Sequence, residues 1–229
     1  MNLKSILFVI VCLSLSTAYG AKESTQKNVM NDVLVTQLRD KQTDIQEFRR
    51  ATECLGYVLA VEAANHMATK AITIQTLLAP ANGITFEKNV VIVPVLRAGM
   101  SMADPFLKFF PRATIAVVGL KRNEETAAAY WYYENVPTIN PTDQVIILDP
   151  MFATGGTVSQ VIGCLLEKGA TEENVMYVGV ISAPQAIKRI SREYPAVKII
   201  LAAQDPILNE KSYIVPGLGD YGDFYCGTK

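Results

Sequence analysis

The chain has 229 residues, of which 50% are hydrophobic and 19% are charged. This length suffices for one full-sized domain with a core, and the composition excludes a disordered or low-complexity chain. With 21 basic and 22 acidic residues the formal net charge is -1, so no overall positive field would collect nucleic acid or anionic lipid. One histidine and four cysteines without close pairing do not favour a metal-thiolate site or a disulfide framework. Any polyanion must therefore be held locally.

The first 20 residues resemble a secretory signal peptide. A positively charged start precedes an apolar run over residues 5–15 and small residues that end at Ala21. Signal peptides have this order, with an apolar core of about 7 to 15 residues. The core is shorter than the roughly 20 residues of a membrane span, so no stable span is expected. An atypical extension or a misplaced start codon is the alternative, and the folded domain is expected over residues 28–229.

Hydrophobic periodicity predicts one long helix followed by a series of strands. Residues 44–69 carry apolar side chains at helical spacing behind a candidate N-cap, Asp44, which predicts an amphipathic helix. Continuous apolar runs indicate strands that are covered on both faces. The predicted strands are residues 90–95, 113–120, 145–148, 175–181 and 197–203.

The clearest helices between these strands span residues 157–168 and 184–194. Thr157 is a candidate N-cap of the first, and Gly169 a candidate C-terminal residue. Strands that alternate with helices predict an α/β fold with an open, mostly parallel sheet. Ligands of such sheets bind at the carboxyl ends of the strands. No repeat or linker divides the chain after residue 28, which indicates a single domain.

The most informative segment is residues 145–157 (VIILDPMFATGGT), in which a buried strand ends in an acid and a small-residue loop. Small residues let backbone amides approach an anion, and the threonine hydroxyls add donors. The N-terminus of the following helix favours a phosphate group. Asp149, at the strand end, could accept hydrogen bonds from sugar hydroxyls. The pattern indicates a sugar-phosphate site, with an ordinary strand-to-helix turn as the alternative.

Two arginines lie at the ends of neighbouring predicted strands. Arg97 follows strand 90–95 and Arg122 follows strand 113–120, so both would project from the sheet edge that carries Asp149. Two converging guanidinium groups can hold pyrophosphate bidentately and stabilise it as it departs. Solvated surface cations are the alternative.

A glycine-rich stretch near the C-terminus, Gly217 to Gly222, spells G-x-G-x-x-G. No apolar strand leads tightly into it and only seven residues follow, so the dinucleotide-binding interpretation fails. A rigid loop whose backbone groups face a flat neutral base is the prediction, and a plain turn is the alternative. The chain also lacks the G-x-S-x-G and P-loop motifs of serine hydrolases and P-loop kinases.

Taken in order, these segments resemble the type I phosphoribosyltransferases, and more closely the uracil phosphoribosyltransferases. Residues 149–157 (DPMFATGGT) are similar to that family's phosphoribosyl-pyrophosphate loop. Similarity extends to its two arginine segments, at residues 94–104 and 119–126, and to its uracil loop, at residues 213–223. The resemblance covers essentially all of residues 28–229.

The resemblance implies the type I phosphoribosyltransferase fold, with a flexible arm over residues 123–137 and a C-terminal base-binding loop. It implies transfer of ribose 5-phosphate from phosphoribosyl pyrophosphate to N1 of uracil, which yields UMP and pyrophosphate in pyrimidine salvage. Mg²⁺ is the implied cofactor, carried mainly by the substrate without direct protein ligands. A homodimer or homotetramer is implied, with GTP as an activator in some members, and nucleic acid is not an expected partner.

The resemblance also assigns site residues. The implied catalytic residues are Arg122 and Asp220. The implied ligands of phosphoribosyl pyrophosphate are Arg97, Arg122, Asp149, Pro150, Met151, Phe152, Ala153, Thr154, Gly155, Gly156, Thr157 and Asp220. The implied uracil ligands are Ile214, Gly219, Asp220 and Tyr221, the last through its backbone.

The chain departs from the family near its end, where bacterial relatives commonly read GDAGDR. Tyr221 and Phe224 replace a small residue and an arginine, and Cys226 stands where an aromatic residue is usual. Tyr221 is expected to change little, whereas the lost arginine and Cys226 are expected to affect contacts across a subunit interface or loop stiffness. A nucleotide-sensing regulatory protein on the same fold and a sister transferase for another base remain alternatives. Location is also open, since the family default is cytoplasmic whereas residues 1–20 indicate export.

Overall fold

The computed structural model describes residues 28–122 and 129–228, with the side chains of Arg122 and Ala129 excepted. The signal-like residues 1–20 and positions 123–128 of the predicted arm lie outside this range. Among the described helices, none has both the length and the apolar character needed to cross a membrane.

The described parts of the chain form six α-helices and twelve strands. The helices are α1 (Val29–Arg39), α2 (Ile45–Asn65), α3 (Met100–Phe109), α4 (Gly156–Glu167), α5 (Pro184–Glu193) and α6 (Tyr221–Cys226). The strands are β1 (Thr69–Gln75), β2 (Pro80–Phe86), β3 (Val90–Leu96), β4 (Thr114–Ile115), β5 (Val117–Arg122), β6 (Ala129–Asn135), β7 (Gln144–Leu148), β8 (Met151–Phe152), β9 (Val175–Ser182), β10 (Lys198–Gln204), β11 (Ile207–Leu208) and β12 (Ile214–Val215).

The main sheet has the strand order β10-β9-β7-β3-β5-β6, with β4 paired to β3 and β8 paired to β9. All of these pairs are parallel except β5 with β6. The predicted open, mostly parallel α/β sheet is confirmed. Because the parallel strands end at one edge, their following loops meet there.

The side chains of successive residues in the central strands point alternately into two cores, one on each face of the sheet. Because both faces are buried, the sequences of these strands are continuously apolar. Ile146 and Leu148 of β7 belong to a core with α1, α2 and α3, whereas Val145 and Ile147 belong to a core with α4 and α5. All four side chains are 0% exposed. Helices therefore cover both faces of the sheet, as predicted.

Helix α2 begins where the sequence predicts, because Asp44 Oδ1 accepts the backbone N–H of Glu47 at 2.8 Å. Its buried stripe includes Phe48, Leu55 and Leu59, spaced at helical intervals. It ends at Asn65 rather than residue 69, since the chain continues into β1.

Three further boundaries differ from prediction or refine it. The strand predicted over residues 113–120 is divided at Ala116 into β4 and β5. Gly155, not Thr157, is the N-cap of α4, so Thr157 lies in the first turn of the helix. Gly169 follows the C-cap with φ of 110°, the left-handed conformation that glycine adopts readily after a helix.

Strands β1 and β2 form a separate antiparallel hairpin that the sequence did not predict. Their pairing runs from Thr69 with Phe86 to Gln75 with Pro80. Leu77 and Leu78 at its tip are 104% and 95% exposed. The hairpin therefore presents apolar side chains to its surroundings.

Candidate functional site

The loops after β3, β7 and β9 and the residue after β10 lie at the carboxyl edge of the parallel sheet. Backbone hydrogen bonds tie them together beyond the regular ladder. Ala183 N–H donates to Phe152 C=O at 2.9 Å, and Asp205 N–H donates to Ser182 C=O at 2.8 Å. The predicted site loops therefore occupy one edge of the molecule.

The loop after β7 has the geometry of an anion cradle. Gly155 has φ of 76° and precedes α4, whose first turn begins at Gly156. Thr154 Oγ1 accepts the Gly156 N–H at 3.4 Å, and the N-cap residue is a glycine, which has no side chain with which to cap the helix. A helix N-terminus carries a partial positive charge and unpaired N–H groups. This end of α4 can therefore receive a phosphate group.

Asp149, the acid at the end of β7, is 8% exposed. Its Oδ1 accepts the backbone N–H of Met151 at 3.2 Å, and its own carbonyl accepts the Tyr177 hydroxyl at 2.6 Å. Burial raises the pKa of the Asp149 carboxyl from 3.8 to about 7, while the bond from Met151 opposes that rise. A carboxyl in this position can form hydrogen bonds with hydroxyl groups, and a nearby cation would favour its ionised form.

The loop after β3 packs closely against the end of β7 at Gly99. A Cβ atom at Gly99 would lie 2.1 Å from Leu148 C=O and 2.5 Å from Val95 N. Such a close backbone approach admits no side chain. Arg97, two residues earlier, is thereby held at the same edge as Asp149.

The Arg97 guanidinium is 52% exposed and binds Asp223 of α6, with Nη2 2.7 Å from Oδ1. This hydrogen bond raises the pKa of Arg97, so the side chain is a permanent cation. Arg122 ends β5, but its side chain lies outside the described atoms. The predicted convergence of the two arginines stays a prediction.

The C-terminal loop runs from β12 to α6 through a cis bond between Val215 and Pro216. Ile214 is buried at 5% exposure. Gly219 has φ of 81°, and a Cβ atom there would meet no atom of the described residues within 4 Å. Asp220 caps α6, with Oδ1 accepting the Asp223 N–H at 2.9 Å.

The Tyr221 side chain faces the core and leaves only backbone groups toward the loop. It is 1% exposed, its hydroxyl bonds Thr52 Oγ1 at 2.9 Å, and its ring packs against Phe48 at 5.1 Å. Phe224 packs on the other side of this cluster, 4.7 Å from Phe48. Two of the three departures from the bacterial pattern, Tyr221 and Phe224, therefore join α6 to α2.

Two contacts bring the three loops together. Ile214 of the C-terminal loop shares a small apolar cluster with Met151 and Ala153, which lie in the loop after β7. Gly222 lies beside the loop after β3, since a Cβ atom there would be 3.7 Å from Ala98 Cβ. The structure therefore places the predicted sugar-phosphate, pyrophosphate and base loops side by side.

Sequence reasoning missed three groups of residues at this edge. Asp223 binds Arg97, and the Arg189 guanidinium lies 3.3 Å from where a Gly156 Cβ would be. Arg39 and Asp205 form an ion pair beside Gly217. Only Asp205 carried a signal in the sequence, because it directly follows a parallel strand as Asp149 does.

This architecture is that of the phosphoribosyltransferases. An adenine phosphoribosyltransferase from Rhodothermus marinus shares the fold with a TM-score of 0.53 and 15% identity, over 77% of this chain and 98% of that one. A protein from Aquifex aeolicus superposes with a TM-score of 0.81 and 33% identity, over 89% of this chain and 96% of that one. The predicted type I phosphoribosyltransferase fold is thus confirmed.

The chain belongs to the uracil phosphoribosyltransferase family, whose sequence profile matches residues 25–228. A uracil phosphoribosyltransferase from Campylobacter concisus is 41% identical over 194 residues, which cover 85% of this chain and 92% of the relative. A uracil phosphoribosyltransferase from Halalkalibacterium halodurans is 40% identical over 196 residues, which cover 85% of this chain and 93% of the relative. The resemblance predicted from the motifs is confirmed.

Proposed function

We propose that the protein is a uracil phosphoribosyltransferase that makes UMP and pyrophosphate from uracil and phosphoribosyl pyrophosphate. The observation that carries this proposal is the convergence of the Asp149 loop, the Arg97 loop and the C-terminal loop at one sheet edge. Membership of the family supports it, since the relatives compared above carry the enzyme's name. The alternative of a nucleotide-sensing regulatory protein receives no support from these comparisons.

The anion cradle, residues 153–157, is the proposed site of the 5-phosphate. Its support is the uncapped N-terminus of α4, which offers N–H groups and a favourable dipole to an anion. Pro150, Met151 and Phe152 connect this cradle to Asp149, and their backbone is fixed by hydrogen bonds to β9. Asp149 is proposed to accept hydrogen bonds from the ribose hydroxyls.

The reaction separates negatively charged pyrophosphate from a carbon that becomes cation-like. It requires positioning and charge stabilisation, and no covalent nucleophile. We assign pyrophosphate to Arg97 and Arg122, with Arg122 in the catalytic role. A permanently charged, half-exposed Arg97 supports its share of this assignment.

Mg²⁺ is the proposed cofactor, arriving mainly with phosphoribosyl pyrophosphate. Burial raises the pKa of the Asp149 carboxyl, and the positive charge of a cation-bearing ligand would counter that effect and favour the ionised form. The ion would supply the largest positive charge near the departing pyrophosphate. Asp149 would bind the ribose beside that ion.

The uracil site is proposed at Ile214, Gly219, Asp220 and Tyr221. Uracil presents carbonyl acceptors and N–H donors, which backbone groups of a rigid loop can match. The inward-facing Tyr221 side chain supports a backbone role for this residue. Asp220, whose Oδ1 caps α6, would act on substrate through its other carboxylate oxygen.

Several finer assignments remain proposals. The exposed apolar tip of the β1–β2 hairpin supports a homodimer or homotetramer. GTP activation rests on the family resemblance alone. We retain residues 28–229 as the folded domain, a signal-like segment over residues 1–20, and an arm over residues 123–137 that closes over the reacting atoms.

The test is UMP formation by the purified full chain with uracil, phosphoribosyl pyrophosphate and Mg²⁺. Hypoxanthine, guanine and orotate serve as competing bases, and a purine preference would contradict the proposal. We expect Arg97→Ala and Asp149→Asn to lose about 100-fold or more in kcat/KM. Arg112→Ala and Asp143→Asn are matched controls, because these residues lie near the opposite ends of β3 and β7. Full activity in both site variants would overturn the site assignment.

A further inference from the structure

Arg39 and Asp205 form a bidentate ion pair between the end of α1 and the end of β10. Arg39 Nη2 lies 2.6 Å from Asp205 Oδ1, and Nη1 lies 2.9 Å from Oδ2. The side chains are 25% and 6% exposed. Bidentate arginine–carboxylate pairs fix geometry in addition to providing attraction. The two side chains therefore hold one another in a single arrangement.

Both side chains also form hydrogen bonds with the backbone of Gly217. Asp205 Oδ2 accepts the Gly217 N–H at 2.7 Å, and Arg39 Nη1 donates to the Gly217 C=O at 3.2 Å. Gly217 has φ of 64°, and a Cβ atom there would lie 2.2 Å from the Ile214 C=O. The pair therefore holds both peptide groups that flank the Gly217 Cα atom, in the tight turn between Ile214 and Gly219.

Asp205 is itself anchored to the main sheet. Its N–H donates to Ser182 C=O at 2.8 Å, at the end of β9. Ala183, which follows Ser182, donates its N–H to Phe152 C=O at 2.9 Å, and Phe152 directly precedes the anion cradle. A continuous path of backbone and carboxylate contacts thus runs from the cradle through β9 and Asp205 to the base loop.

We propose that Arg39 and Asp205 are positioning residues that set the uracil loop at a fixed distance from the phosphate cradle. This inference rests on the proposed function, and neither residue is expected to touch substrate. Because the pair acts on Gly217, its loss should weaken the binding of the base more than that of phosphoribosyl pyrophosphate.

The first test separates the two Michaelis constants. Asp205→Ala removes both the ion pair and the acceptor of the Gly217 N–H, whereas Asp205→Asn retains an oxygen acceptor. Arg39→Met removes the guanidinium and keeps much of its apolar length. We expect Asp205→Ala and Arg39→Met to raise the KM for uracil about tenfold, the scale of one lost bond to a charged group. The KM for phosphoribosyl pyrophosphate should change less than about threefold, and Asp205→Asn should recover part of the loss.

A matched control removes an ion pair away from this edge. Lys108→Met breaks the surface pair with Asp104, in which Nζ and Oδ1 are 3.7 Å apart and the side chains are 63% and 66% exposed. Lys108 lies in the last turn of α3, at the opposite end of that helix from the loop after β3. We expect unchanged Michaelis constants for this variant. Equal changes of both constants in Asp205→Ala and Arg39→Met, or no change in any Arg39 or Asp205 variant, would overturn the proposal.

A second measurement tests the pair without catalysis. Hydrogen–deuterium exchange of the ligand-free full chain should show faster exchange around Gly217 in Arg39→Met and Asp205→Asn, with no change in β3 or β7. Unaltered exchange at Gly217 in both variants would refute the positioning role, whatever the activity. If the native protein makes no UMP but the exchange shift is present, the proposed function fails and the structural role stands.

Discussion

Arg97 and Asp223 form an ion pair that links the loop after β3 to the first turns of α6. The Arg97 Nη2 to Asp223 Oδ1 distance is 2.7 Å, and the same oxygen accepts the Thr228 hydroxyl at 2.8 Å. If Arg97 binds pyrophosphate as proposed, it must exchange this carboxylate for the substrate anion. Asp223 would then compete with substrate for the guanidinium.

We predict that Asp223→Asn lowers the KM for phosphoribosyl pyrophosphate. Partly exposed ion pairs contribute about 0.2–1 kcal/mol, so the decrease should be roughly 1.5- to fivefold. Steady-state kinetics at fixed saturating uracil would measure it, with Asp104→Asn as a control whose Lys108 partner lies 3.7 Å away on the surface. A higher KM would mean that Asp223 orients Arg97 for binding.

The raised pKa of Asp149 predicts a pH-dependent stability. Burial raises its pKa from 3.8 to about 7, so between those values the unfolded chain loses the proton that the folded chain keeps. Stability should therefore fall as the pH rises through this window, and remain lower above it. Asp149→Asn cannot ionise and should escape that loss.

The measurement is urea unfolding of the ligand-free native protein and Asp149→Asn at pH 4 and pH 8. The variant should gain stability relative to the native protein at pH 8, by at most roughly 4 kcal/mol. The difference should shrink at pH 4, where both side chains are neutral. Asp143→Asn provides the reference substitution. A difference that is independent of pH would contradict the raised pKa.

Gly99→Ala should disrupt the contact between the loops after β3 and β7. Its Cβ would lie 2.1 Å from Leu148 C=O, and overpacked sites typically lose about 1–3 kcal/mol. Urea unfolding should show a loss in this range or above, with reduced activity from displacement of Arg97. Gly83→Ala is the control, because its nearest neighbour would be Ile72 Cγ1 at an ordinary 3.7 Å. Equal stability of the two variants would argue against the close approach.

Tyr221→Phe separates a core role of this side chain from base recognition. The change removes a buried hydrogen bond to Thr52 Oγ1 and should cost about 1 kcal/mol of stability. The KM for uracil should stay within about twofold, since the side chain faces away from the proposed base site. Tyr57→Phe, which removes an exposed hydrogen bond of 3.2 Å to Glu53 Oε1 on α2, is the control. A large rise in the KM for uracil with intact stability would show that the hydroxyl contributes to binding.

The main sheet was predictable because strands buried on both faces carry continuous apolar runs. The anion cradle was predictable because glycine, threonine and an acid occur where a strand meets a helix. The β1–β2 hairpin has a weaker sequence pattern. Its strands, TKAITIQ and PANGITF, are largely exposed, so they carry no continuous run of apolar residues. The start of α4 was misplaced because Gly155 reaches a positive φ that sequence spacing does not encode.

Contacts between distant segments were beyond sequence reasoning. Arg39 and Asp205 are 166 positions apart, and Arg97 and Asp223 are 126 positions apart. Each pair meets only because the sheet order brings the ends of α1, β3 and β10 to the C-terminal loop. The order of the motifs identified the loops, but the ion pairs that hold these loops together form only in the folded protein.

The position of α1 determines where the N-terminus of this protein can be cleaved without loss of the contact to the base loop. Asn28 caps α1 by accepting the Met30 N–H at 3.0 Å. Arg39, the last residue of α1, donates a hydrogen bond to the Gly217 C=O. Cleavage near residue 20 would leave both residues on the mature chain. Cleavage beyond Arg39 would separate the base loop from its support and would also remove the buried Leu34, Val35 and Leu38 from the core.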